Sequence, residues 1–159
     1  MSMADEYLPP ELEAFFPNLR RDDYRKTSED TITYNCIAHA AEASDVWWWP
    51  TEGPGIYWPA GAEMVETVES FVQAYATIGY EVCTSGNRDL ESGFQKIAVY
   101  VDEDGVPSHA ARQLSSGEWT SKLGRSEDIK HRTLEAVGDE KDGSIGYGCV
   151  AIIMKRAIP

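Results

Sequence analysis

The chain has 159 residues and little basic charge: 14 Lys and Arg stand against 27 Asp and Glu, for a formal net charge of −13. A protein that grips a phosphate backbone needs a basic footprint, so a nucleic-acid partner is not expected. No apolar run approaches the roughly 18–20 residues of a membrane span. Met1 to Glu6 is polar and acidic, without the basic region and apolar stretch of a signal peptide, so no membrane partner is expected. There are only three cysteines, Cys36, Cys83 and Cys149, an odd number with no Cys-x-x-Cys spacing. A disulfide framework is not expected, and a reduced, cytoplasmic setting is. A Gly-rich phosphate loop is absent, since the stretch 143–148 lacks a following Lys-Ser/Thr. Internal repeats and low-complexity segments are absent too.

What remains is a globular composition, 42% hydrophobic and 11% aromatic, in a length that buries the core of one domain. Residues 1–30 read as an N-terminal extension. Within it Glu11–Phe16 forms a short helix stopped by Pro17, whose Leu12, Phe15 and Phe16 face the core, and Leu19–Asp30 is loop. Residues 31–159 read as a single domain. Its most regular helix is Met64–Ile78, with apolar residues at the 3.6 period and Gly79 at its end. Tyr80–Cys83 is a short strand, and Thr84–Ser92 a loop. From Phe94 the period becomes two. Strands over 94–101, 108–114 and 118–123, joined by turns at 102–105 and 115–117, make an antiparallel meander. Ser126-Glu127-Asp128 has the character of a capping box and opens a helix expected to run to Val137. A charged loop over 138–146 leads to a last strand over Tyr147–Lys155.

The chemistry centres on Tyr34-Asn35-Cys36-Ile37-Ala38-His39-Ala40-Ala41. Asn35 is placed to cap a helix running to about Ala43, which puts Cys36 in its first turn. There the helix dipole and free N–H groups favour a thiolate. A buried, inert cysteine is the structural alternative. His109 opens a strand of the meander and is the expected base for Cys36, while Asn35 and the Cys36 N–H could serve an oxyanion. The third member of a triad stays open, with Ser121, Glu118, Gln113 and Asp128 as the candidates. His39, one turn after Cys36, could itself be the base, or half of a Cys-x-x-His metal pair that Asp45, Cys83 or Cys149 would have to complete. Two ligands do not make a zinc site, and neither metal nor cofactor is expected. Trp47, Trp48, Trp49 and Trp58, interleaved with Pro and Gly, either cover one end of the core or wall a substrate cleft. Lys122, alone of its sign in an apolar strand, is a candidate substrate anchor or a surface lysine.

A helix-start Cys (Asn35-Cys36), a strand-start His (His109-Ala110-Ala111) and a polar next strand (Trp119-Thr120-Ser121-Lys122) together resemble the papain-like superfamily in its minimal forms, the NlpC-type and transglutaminase-like cysteine enzymes. That resemblance implies an α+β fold with helices packed on an antiparallel sheet. It also implies a thiol-dependent hydrolase or acyl-transfer enzyme acting on a peptide, amide or protein substrate. More closely, Tyr34-Asn35-Cys36, Trp47-Trp48-Trp49-Pro50, Tyr57-Trp58-Pro59 and His109 to Gly124 resemble a little-characterised bacterial domain family with no assigned reaction. The alternative function is a non-enzymatic acidic binding module of inhibitor or immunity type. In that case Cys36 is buried, and an exposed aromatic or acidic patch is the working surface.

Overall fold

In the computed structural model, which describes residues 7–139 and 145–158, the chain is built on one seven-stranded sheet. The strands are β1 (Tyr24–Ser28), β4 (Glu81–Val82), β5 (Phe94–Val101), β6 (Pro107–Gln113), β7 (Trp119–Lys122), β8 (Asp128–His131) and β9 (Cys149–Ala157). Their order is β1-β8-β7-β6-β5-β9-β4. Every pairing in it is antiparallel. Two short strands of the tryptophan loop, β2 (Trp47–Trp48) and β3 (Ile56–Tyr57), pair in parallel apart from it. The helices are α1 (Pro10–Glu13), α2 (Cys36–Ala40) and α3 (Val68–Ala76).

β5 holds the centre because it is apolar on both faces, and it is buried from Lys96 to Val101. Side chains alternate across a strand, so β5 divides the core. Ile97 and Val99 join Ala110 and Met154 under α2, α3 and Trp48. Ala98 and Tyr100 join Ala111, Trp119 and Ile129 on the other face, under Leu8, Phe16, Leu134 and Val137.

Several sequence expectations are corrected. The papain-like arrangement of helices on a sheet does not hold: the sheet dominates, and the three helices are short. α2 ends after five residues because Glu42 adopts φ 63°, a left-handed conformation that a side chain rarely takes. Glu42 carries that conformation with its carboxylate between Arg112 and Arg156, at 3.4 and 3.5 Å. α3 starts at Val68 rather than Met64, because the Thr67 hydroxyl caps it by accepting from Ser70 N. Met64 and Val65 are left exposed. The loop expected over 19–30 contains β1, so the N-terminal stretch supplies a strand of the sheet. The helix expected from Ser126 is instead β8 followed by a 3-10 turn, Leu134–Val137. The last strand starts at Cys149 rather than Tyr147. The segments 1–6 and 140–144, the latter within the expected charged loop, and Pro159 lie outside the described residues.

Candidate functional site

Asn35 caps α2 as its position suggests. Its Oδ1 accepts from Ala38 N (3.0 Å) and from Trp48 N (3.1 Å), and its Nδ2 donates to Trp48 O (2.8 Å). It therefore fastens the tryptophan loop to the helix. Cys36 points down from the first turn onto the backbone of Ala110 in β6, in the cluster with Ile97, Val99 and Ala110. Burial dominates there. It pushes the thiol up to about 11, against the opposing donation from Ala110 and the helix-start amides.

His109 is adjacent to Ala110 in the chain but projects from the other face of the sheet. Its ring packs edge-on to Tyr100, the residue opposite it on β5, and lies flat on Tyr147 at 4.0 Å and 3°. The two residues expected to form a nucleophile–base pair are thus divided by the sheet itself.

Ser121 does contact His109, but in a buried chain of hydrogen bonds. His131 Nδ1 lies 2.7 Å from the Thr133 carbonyl and must donate to it, leaving Nε2 as acceptor. Ser121 Oγ donates to that nitrogen (2.7 Å) and accepts from His109 Nε2 (2.9 Å). His109 Nδ1 then holds a buried lone pair without a partner. All three residues are fully buried. Burial keeps both imidazoles neutral, His131 down to about 4 and His109 well below its ordinary value. The cover is a tight strap: Gly148, at φ 95°, would drive a Cβ into the Val101 carbonyl. Among the described residues these hydrogen bonds tie β6, β7 and β8 together beneath that strap.

A second polar cluster lies under α2 on the other face. His39 Nε2 is 2.9 Å from Thr120 Oγ1. Its Nδ1 is 3.8 Å from Asp128 Oδ2, too long for a hydrogen bond. Tyr34 occupies that oxygen, donating at 2.5 Å, and its ring stacks on His39. The hydroxyl–imidazole–carboxylate order has the connectivity of a relay. Thr120, however, is only 5% exposed, and burial holds His39 below its usual range against the pull of Asp128. Lys122 is turned inward. Its ammonium is fully buried and donates to the carbonyls of Thr31 (2.9 Å) and Ser126. Among the described residues no group of three or more His, Cys, Asp or Glu could hold a metal ion.

The tryptophans divide. Trp48 is core, between Tyr57 and Tyr75; Trp49 and Trp58 both lean edge-on to Phe71. Trp47 lines an open cleft, of about 620 Å³, with Ile32, Thr33, Asp45, Pro54, Gly55, Ile56 and Arg125. Its position is fixed twice, by Nε1 donating to Ile32 O (2.6 Å) and by its backbone N–H donating to Gly55 O (3.0 Å). The Arg125 guanidinium stands 5.9 Å from its ring centre. Ile32 is 69% exposed at the rim. Sequence reasoning placed Trp47 but missed Arg125. That residue sits in the turn between β7 and β8 and meets Trp47 only through the fold.

Comparison with known proteins places the chain in a family without an assigned activity. It belongs to the family described as Domain of unknown function (DUF7689), whose model matches residues 25–155. No curated protein matches it. No solved structure matches it either. Among the described residues no helix is long and apolar enough to cross a membrane.

Proposed function

We propose that this domain is a non-enzymatic acidic binding module whose ligand site is the Trp47–Arg125 cleft. The observation that carries this reading is the cleft itself: a rigidly held indole face, an apolar wall and two exposed charged side chains in a volume within the ~300–1,000 Å³ of ligand pockets. The thiol-dependent hydrolase reading lacks a comparable support, because Cys36 and His109 lie on opposite sides of the sheet. The three cysteines are free, which suits a reduced, cytoplasmic setting.

The test is a ligand-observed NMR screen of a small polar library against the full chain and Trp47→Ala, run beside a panel of amide and ester substrates. Hits lost in the variant, with no turnover on the panel, support a binding module. Turnover abolished by Cys36→Ala overturns it.

A further inference from the structure

We propose that the cleft takes a zwitterion, specifically a free α-amino acid with an apolar side chain. This rests on the binding-module reading above. Asp45 and Arg125 are both exposed and both line the cleft, yet neither has an ion-pair partner among the described residues, and they do not pair with each other. In a chain with 27 acidic and 14 basic residues, an arginine set against a tryptophan instead of a carboxylate is an unused anion receptor. Its planar fork matches a carboxylate in bidentate geometry. Asp45 supplies the complementary acceptor for an ammonium group.

The same cleft is lined by apolar surface from Trp47, Pro54 and Ile56. The indole edge is already satisfied by Ile32 O, so the ring offers only its face and its apolar area to a ligand. A carboxylate, an ammonium and an aliphatic or aromatic side chain on one small molecule meet all three features. A phosphate-bearing ligand fits less well, because Asp45 opposes it and the net charge of −13 repels it. A neutral sugar would leave both charges unused.

The experiment follows the indole N–H resonances of the five tryptophans in the full chain, with Trp47 assigned by Trp47→Phe. The probes are L-leucine, L-phenylalanine, N-acetyl-L-leucine, L-leucinamide, N-acetyl-L-leucinamide and glucose. The expected result is a saturable shift of the Trp47 signal with leucine and phenylalanine. Blocking either charge of the ligand, or making Arg125→Gln or Asp45→Asn, should weaken it about tenfold. If N-acetyl-L-leucinamide or glucose shifts Trp47 as strongly as leucine, the zwitterion assignment is overturned and the binding module stands. If no probe moves Trp47, the zwitterion assignment falls too; a library hit elsewhere in the NMR screen then decides the module by itself.

Discussion

The thiol of Cys36 packs against one face of the sheet and the imidazole of His109 projects from the other, although Cys36 rests on the backbone of Ala110, the very next residue after His109. Strand alternation enforces this, since His109 shares its face with Ala111 and Ala110 shares its face with Val99. No side-chain rotation brings a group through a β-sheet, so the division is a property of the fold and not of one conformer.

The buried chain His109–Ser121–His131 makes stability pH-dependent in a defined window. Both imidazoles have folded values below the unfolded one of about 6.5. The unfolded chain therefore takes up protons as pH falls below about 6.5, while the native chain resists until about 4 at His131. Stability is full above that range and falls with pH, by about 2 kcal/mol at pH 5 from His131, with His109 acting in the same direction. Urea midpoints at pH 7.5 and 5, where most carboxylates stay ionised, check this. His131→Gln should flatten the slope, and a pH-independent midpoint in the native sequence would contradict it.

Asn35 holds two elements with one side chain, so its variants separate. Asn35→Ala removes the cap and both bonds to Trp48 and should cost about 2–3 kcal/mol. Asn35→Asp keeps the two acceptor bonds but replaces the donation to Trp48 O with a carboxylate oxygen facing that carbonyl, so a loss of at least about 1 kcal/mol is expected. In urea titrations, a costless Asn35→Asp beside a costly Asn35→Ala would show that the donated bond to Trp48 O contributes nothing, and equal losses that the two acceptor bonds contribute nothing.

Lys122→Met keeps the apolar stem and removes the ammonium. It leaves the carbonyls of Thr31 and Ser126 without their donor. The expected cost is about 2–3 kcal/mol at unchanged m-value. A neutral result would mean that water replaces the ammonium freely and that the residue is not a tether.

The central part of the fold was legible because its signals are local. The period-two runs of β5, β6 and β7 and the Asn35 cap are where the pattern puts them. β1 was missed because Tyr24-Arg25-Lys26-Thr27-Ser28 is an edge strand whose one buried residue is Tyr24, with Lys26 on the same face and Arg25 on the other. β8 was misread because Ser126-Glu127-Asp128 has helix-start chemistry. Distant partners overrule it: Ile129 pairs with Ser121, Asp128 is held by Tyr34, and His131 by Ser121. Of the site, the pattern offered Trp47 but not Arg125, and it brought Cys36 and His109 near without saying which side of the sheet each would occupy. Facing is decided by what packs above and below a strand, which no spacing in the chain records.

The most direct measurement is the rate of iodoacetamide alkylation at Cys36 against pH, read by mass spectrometry, in the native sequence and in His109→Ala. The expected result is a thiol that stays inert under native conditions and reacts only on unfolding, with His109→Ala leaving the native profile unchanged. Fast alkylation titrating well below the free-thiol value of about 8.5, and lost in His109→Ala, would contradict the division of the two residues and restore a cysteine enzyme.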